Sequence, residues 1–379
     1  MKPASLRQQV GQLLIMGFDG TSVEPRLDAM LQEIQPAGVI LFARNIESAQ
    51  QTHALLSECR KAVSTPSFLC VDMEGGAVDR LKKITSPAPS AASVFASGRK
   101  PFFTRHGELI GAECHALGFN TDFAPTLDLS FAISRPILGS RAVSPDPTEV
   151  AAYASLFLRG LRKTGVLGCG KHFPGLGEAT LDTHHELPAI EKPWEALWEQ
   201  DLVPYRLLRR GLPFVMVGHA SYPAATGDKL PASISPKWIT EILRARIGYR
   251  GLVVSDDLEM GAIMAAGPIE QTAVESMRAG ADLILVCHEE AMVRRAYAAL
   301  VQEAERNPEF ARRVSHAAHR VLAFKKKKKE LQEFPSRFSI ALIEKLRQEM
   351  AEFVAELERP AAEKPSVEKT SNLNDIGVK

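Results

Sequence analysis

The chain reads as an α/β protein folded into a (β/α)8 TIM-type barrel, with a C-terminal helical extension on one catalytic domain. Eight short apolar runs, 12–18, 37–42, 68–73, 119–127, 166–173, 214–220, 251–257 and 282–288, occupy the first 290 residues. Most are continuously apolar, as parallel strands buried on both faces require. Segments of helical spacing separate most of them, clearest at 104–117, 148–164, 196–210, 236–246, 268–279 and 289–305. A further regularity lies in where the polar residues fall. Asp19, Arg44 and Asn45, Asp72 and Glu74, Asp128, Lys171 and His172, His219, Asp256 and Asp257, and His288 close the eight runs in turn. Barrel enzymes place their chemistry at strand C-termini, so this placement points to an enzyme. A doubly wound open sheet is the alternative fold. The absence of a G-x-G-x-x-G after the first run counts against it.

The bulk properties narrow the partners. With 379 residues, 45% hydrophobic and 24% charged, the chain has the make-up of a globular protein with a sizeable core. Lys plus Arg number 46 and Asp plus Glu 45, a net charge of +1. No electrostatic case follows for nucleic acid or membrane as partners. Cys59, Cys70, Cys114, Cys169 and Cys287 are scattered, with no C-x-x-C, and read as reduced core residues of a cytoplasmic protein. The apolar stretch at 10–18 lacks a clean small-residue cleavage site, and no run reaches membrane-spanning length. A monomer or weak homo-oligomer is expected.

The barrel is expected over 1–330, a helical extension over 331–359 and a disordered tail over 360–379. Five lysines, Lys325 to Lys329, extend a helix that starts near Pro308; they read as a solvated helix end rather than a nucleic-acid contact. Pro335 breaks that helix. Leu342, Leu346, Met350, Phe353 and Leu357 then form a helical stripe suited to packing on the barrel or on a second subunit.

The most informative segment follows the fifth run. Lys171 and His172 end it, and a Pro- and Gly-rich loop then carries Asp182-Thr183-His184 before Pro188. A long polar loop on a buried strand is more often functional than filler. A carboxylate two residues from an imidazole can fix its tautomer and raise its basicity. The two glycines and the lack of apolar anchors suit a moving lid. Asp256, ending Val253-Val254-Ser255-Asp256-Asp257, is the nucleophile candidate; a helix-capping role is its alternative and the better reading of Asp257. Strand alternation would aim one of the pair into the mouth and the other away. Asp72, before Gly75 and Gly76, can accept hydrogen bonds from sugar hydroxyls or pair with Arg80. Lys171, His172 and Arg141 would supply donors. His219 is either a ligand contact or a supporting residue. His172, His219, His288, Asp72 and Asp256 could instead converge on a metal, although no His-x-His ends the first run.

Taken together these motifs resemble glycoside hydrolase family 3, and within it the bacterial β-N-acetylglucosaminidases of peptidoglycan recycling. Lys171-His172-Phe173-Pro174-Gly175 with Gly177 and Asp182-Thr183-His184 carries the likeness, along with Asp72-Met73-Glu74-Gly75-Gly76, Phe123-Ala124-Pro125 and Leu138-Gly139-Ser140-Arg141. Pro231-Ala232-Ser233, Ser255-Asp256-Asp257 and Ala279-Gly280-Ala281-Asp282 complete it over roughly residues 8 to 325. The resemblance implies a retaining mechanism: Asp256 attacks the anomeric carbon, and His184, oriented by Asp182, is acid and then base. Asp72, Arg141, Lys171 and His172 would hold the sugar, with Arg80 and His219 completing the binding set. The implied substrate is a terminal β-linked N-acetylglucosamine on (anhydro-)N-acetylmuramic acid or its peptides, and no cofactor or metal is implied.

Leu176 stands where the group often has histidine, Ala142-Val143 where Ser-Phe is common, and Arg135-Pro136 where an Asn-containing turn is usual. None of these touches the nucleophile or the dyad. Transfer to phosphate on the same site, β-glucosidase activity, metal-dependent hydrolysis and a catalytically dead sugar-binding protein are the other readings.

Overall fold

A computed structural model of the chain describes residues 5–335 and 337–359. The strands are β1 (Leu14–Met16), β2 (Gly38–Ile40), β3 (Phe68–Val71), β4 (Met73–Gly75), β5 (Val78–Asp79), β6 (Thr121–Asp122), β7 (Leu167–Phe173), β8 (Phe214–Val217), β9 (Leu252–Asp257) and β10 (Leu283–Val286). Eight of them close a parallel barrel in the order β1-β10-β9-β8-β7-β6-β3-β2. The remaining two, β4 and β5, form an antiparallel ribbon just after β3. All eight apolar runs therefore become barrel strands. The run at 119–127 yields only two residues in regular strand pairing, while Phe123, Ala124 and Pro125 keep backbone bonds to Val71, Cys169 and Lys171; the Ala124–Pro125 peptide is cis.

Inside the barrel Ile15, Ile40, Phe68, Phe123, Phe214, Met216, Val254 and Leu285 belong to one buried cluster. Two further clusters fill the space between strands and helices. Helix starts are set by local chemistry. Asp146 accepts from the Thr148 and Glu149 amides, and Pro147 opens the helix Pro147–Lys163. That helix lies against Lys100–Leu117 at close range: a Cβ on Gly107 would sit 2.1 Å from the Phe157 carbonyl oxygen, and one on Gly160 2.3 Å from that of Thr104. The helix expected at 196–210 divides into Trp194–Glu199 and Val203–Leu208, and the segment at 236–246 is π-helical over Lys237–Arg246.

Two strands depart from simple alternation at their C-terminal ends. Along β7 the pairing runs Gly170 with Val215 and then Phe173 with Val217, so β7 holds one residue more than β8. Along β9 the pairing runs Leu283 with Val254 and then Leu285 with Asp257, again one extra residue. Such bulges re-aim side chains, and both fall at strand ends carrying candidate site residues.

The C-terminal segment forms a helix, Ile340–Glu358, whose Ile343, Leu346, Met350 and Phe353 are buried. Phe353 stands edge-on to Phe102 at 5.3 Å on the helix Lys100–Leu117. Leu342, counted in the expected stripe, is exposed instead. The tail expected at 360–379 lies outside the described residues. Among those residues no helix is long and apolar enough to cross a membrane.

The lysine run is solvated at Lys326, Lys327 and Lys329, as read, but not at its first residue. The helix Pro308–Lys327 ends inside the run, and Lys325 is buried across the closed end of the barrel. Its Nζ lies 2.8 Å from Gln12 Oε1 and 5.1 Å from the centre of the Phe68 ring. Beside it, Phe324 packs on Phe68 and Phe214. Periodicity placed Lys325 on a helix; only the barrel's position decided that this face turns inward.

Asp282, at 1% exposure, pairs with Arg244 and with Arg320 Nε at 2.9 Å, and accepts the Val253 amide at 3.0 Å. Removing its carboxylate leaves two partly buried guanidinium groups uncompensated. Asp282→Ala is expected to cost about 3–5 kcal/mol in chemical denaturation. Lys325 gives a pH signature. Burial lowers its ammonium pKa from 10.5 to about 7. Between about pH 7 and 10.5 the unfolded chain keeps a proton that the folded chain has released. Stability is expected to rise through that window, at up to about 1.4 kcal/mol per pH unit. Lys325→Met should stabilise the fold at neutral pH and remove this rise in denaturation curves recorded across the range.

Candidate active site

The barrel mouth encloses a cavity of about 150 Å³ whose wall includes Asp72, Glu74, Arg80, Arg141, Lys171, His172, Asp182, His184 and Asp256. At its floor is Glu74, which the sequence reading passed over as a site residue. Glu74 was noted only among the polar residues closing the third run, and its Gly75-Gly76 neighbours hinted at a tight backbone there. The β4–β5 ribbon turns its carboxylate inward at 4% exposure. Arg141 binds it through two nitrogens, Nε at 2.9 Å and Nη2 at 2.8 Å. Lys171 Nζ is 2.6 Å away and Thr126 donates at 3.0 Å. Burial opposes its ionisation, but Arg141 and Lys171 outweigh burial and hold the carboxyl far below its ordinary pKa. Against the effect of burial, Asp72 and Glu74 hold Lys171 above its ordinary value, and Glu74 does the same for Arg141.

Asp72 shares this web. Its Oδ1 accepts from Lys171 Nζ at 2.8 Å, so its ion-pair partner is Lys171 and not Arg80. Arg80 lies 5.7 Å over the Phe42 ring and has no carboxylate partner among the described residues. The bulge in β7 turns both Lys171 and His172 toward the cavity, and the peptide bond between them is cis. His172 Nδ1 is 2.7 Å from Asp128 Oδ2, and Asp128 Oδ1 accepts the Leu176 amide at 2.7 Å. Asp128, noted in the sequence only as a strand-end residue, thus ties the ring to the start of the loop. Arg141 Nη2 lies 3.4 Å from His172 Nε2.

The bulge in β9 puts both Asp256 and Asp257 on the cavity wall, where alternation predicted one. They differ in what they hold. Asp257 accepts the Glu259 and Cys287 amides through Oδ1 and lies 3.2 Å from His288 Nε2 through Oδ2. This satisfied carboxylate braces the ends of β9 and β10; it does not cap the following helix, whose N-cap is Met260. Asp256 accepts only the Asp257 amide, at 2.9 Å. Burial raises its pKa, but His172, His219, that amide and Lys171 together hold it below the ordinary value. His219 is fully buried, off the cavity wall. It bonds Ser233 Oγ at 2.7 Å and the Asp257 carbonyl at 2.8 Å, and burial lowers its pKa. Of its two readings, these partners favour the supporting one.

Asp182 and His184 sit on the loop after β7. His184 Nδ1 is 2.7 Å from Asp182 Oδ1, and the His184 amide donates to the same oxygen at 3.0 Å. Burial pulls the Asp182 pKa up, but these two bonds and the His184 charge bring it below the ordinary value. Both side chains remain open, 66% for His184 and 44% for Asp182. The loop stem is anchored more firmly than its composition suggested. Leu176 and Ala179 are buried, and Tyr222 OH donates to the Gly175 carbonyl at 2.7 Å. Buried Lys192 lies 2.9 Å from Glu178 Oε1. It also lies 2.7 Å from Asp201 Oδ2, an ion-pair contact off the line of a hydrogen bond.

Among the described residues no three His, Cys, Asp or Glu side chains converge as a metal set. The histidines proposed for one are divided among Asp128, Ser233 and Asp257. What the mouth offers is a neutralised web of donors and acceptors, one half-buried free carboxylate, and an exposed imidazole backed by a carboxylate.

Known proteins resemble the chain along most of its length. The family model described as Glycosyl hydrolase family 3 N terminal domain matches residues 5–324. A protein named Beta-hexosaminidase from Alkalilimnicola ehrlichii is 39% identical over 289 residues, 74% of this chain and 82% of that one. One of the same name from Stenotrophomonas maltophilia is 36% identical over 285 residues, 73% and 84% of the two chains. Among solved structures, a glycoside hydrolase family 3 beta-N-acetylglucosaminidase from Paenibacillus sp. str. FPU-7 superposes with a TM-score of 0.86 at 32% identity, over 93% of this chain and 69% of that one. A closed parallel barrel, charged strand ends and a family match over 5–324 lead to one assignment: the chain belongs to glycosyl hydrolase family 3.

Proposed function

We infer that the chain is a retaining exo-β-N-acetylglucosaminidase that releases terminal β-linked N-acetylglucosamine from (anhydro-)N-acetylmuramic acid or its peptides. The carrying observation is a division of labour within one cavity. Asp256 is held ionised with little hydrogen bonding to restrain it, and His184 is exposed with its Nδ1 on Asp182. A nucleophile needs the first condition and an acid/base group the second. The relatives named Beta-hexosaminidase support the same substrate class.

In the first step an Asp256 oxygen bonds to the anomeric carbon while the glycosidic carbon–oxygen bond breaks. His184 Nε2 gives its proton to the departing oxygen. Asp182 steadies the imidazolium beforehand and keeps Nε2 aimed outward. In the second step the neutral imidazole takes a proton from water, the water oxygen attacks the anomeric carbon, and the bond to Asp256 breaks. An imidazole thus fills the place of the second carboxylate found in most glycosidases. Asp72, Arg80, Arg141, Lys171 and His172 hold the sugar's hydroxyl and acetamido groups, with Glu74 fixing Arg141 and Lys171. No cofactor enters this scheme. Five free, buried cysteines accord with a reducing compartment, where peptidoglycan fragments would be recycled.

Asp256→Ala is expected to lower turnover of an aryl β-N-acetylglucosaminide by at least about 10³-fold; near-normal activity would remove Asp256 as nucleophile. Mass spectrometry after incubation with a slow fluorinated N-acetylglucosaminide should locate a glycosyl adduct on Asp256, and an adduct elsewhere would redirect the assignment. His184→Ala should depress substrates with poor leaving groups about 10²-fold more than activated aryl glycosides. Equal losses across leaving groups would count against the acid role.

A further inference from the structure

The segment after β9 serves both halves of the proposed site. The strand ends in Asp256, and five residues on, the same segment meets the loop that carries His184. The Gly261 amide donates to the His184 carbonyl at 3.0 Å, and the Ala262 amide donates to the Thr183 carbonyl at 3.2 Å. Both amides open the short helix Gly261–Met264, where first-turn donors have no intrahelical acceptor. Among the described residues these are the hydrogen bonds that join 181–186 to the rest of the fold.

Packing at this contact leaves no room for a side chain. A Cβ on Gly261 would lie 2.4 Å from the His185 carbonyl oxygen and 2.8 Å from that of His184. The backbone of Gly261 is outside the left-handed region, so its own conformation does not demand glycine. The missing side chain serves the neighbouring loop instead. Burial does not hold the dyad, since His184 is 66% and Asp182 44% exposed. The stem is secured separately, by Lys192 on Glu178 and by Tyr222 on the Gly175 carbonyl. With the stem firm and the tip exposed except at buried Thr183, the two amides are the tip's hydrogen-bonded tie to the fold.

We propose that Gly261 is a positioning residue for the acid/base step, docking the His184 loop onto the loop of the nucleophile through its amide and its lack of a side chain. The inference rests on the assignment of Asp256 and His184 given above. It makes the separation of the two reacting groups a property of one backbone contact. Misplacing a catalytic group by about 1 Å can cost about 10²-fold in rate.

Two variants address the two parts of the contact. Gly261→Ala adds the Cβ. Gly261→Pro also deletes the amide, and its backbone is compatible: Met260 has φ −69° and ψ 145°, the extended form that precedes proline, and proline suits the first position of a helix. Each would be assayed beside His184→Ala on β-N-acetylglucosaminides with good and poor leaving groups, with a thermal midpoint for each protein. The expected result is a loss on poor leaving groups at least about 10-fold greater than on good ones, in the pattern of His184→Ala. A selective loss in His184→Ala with the wild-type ratio in both Gly261 variants overturns the docking inference alone. No selectivity in any of the three overturns the acid/base assignment and the inference with it. Hydrogen exchange on the unaltered protein needs no variant to fold. Protected amides at Gly261 and Ala262 are expected, and exchange at the rate of free amides would refute the contact.

Discussion

Glu74 carries a negative charge at 4% exposure, and the mouth of the barrel is arranged around compensating it. An isolated carboxylate at that depth would take up a proton. Arg141 and Lys171 prevent this, and in doing so their own charges are fixed in place. Lys171 then reaches Asp72, so Arg141, Lys171 and Asp72 are tied to one buried acid, while Asp128 holds His172 beside Arg141. Such a web is costly to assemble but presents rigid donors and acceptors to a neutral polyol, which a flexible surface cluster could not do. Arg80 stands outside the web, against Phe42, with its charge unspent.

The second determinant is the pair of bulges. A regular strand would show the cavity alternate residues, and the ends of β7 and β9 would each contribute one group. One extra residue in each strand brings Lys171 with His172, and Asp256 with Asp257, to the same wall. The neighbours then separate by hydrogen bonding. Asp257 is saturated by the Glu259 and Cys287 amides and by His288, whereas Asp256 accepts only the Asp257 amide among the described residues. Adjacent identical residues acquire different chemistry because the backbone satisfies one and not the other.

Much of this was legible beforehand. The alternation of apolar runs with helical segments determined the barrel, since continuous apolar strands need helices on their outer face and a packed interior. The accumulation of ionisable residues at strand ends marked the mouth, and Asp182-Thr183-His184 singled out the loop on its wall. Misreadings arose where a residue's role depends on what faces it. Lys325 belongs to a run of five lysines and looked solvated, yet it spans the closed end of the barrel. For His219 the sequence left two readings open, and its bond to the Asp257 carbonyl favours the supporting one. Leu176 and Ala179 looked like parts of a free loop and prove to be its anchors.

By itself, then, the sequence determined the fold class, the order of strands and helices, and the set of side chains available at the mouth, because hydrophobic period and strand-end polarity are local properties of the chain. Only the tertiary structure decided which of those side chains act together. Glu74 meets Arg141 and Lys171 across separations of 67 and 97 residues in sequence, and Gly261 meets His184 across 77. Ion pairing and backbone docking depend on distance in space, and no pattern along the chain encodes that distance until the barrel closes.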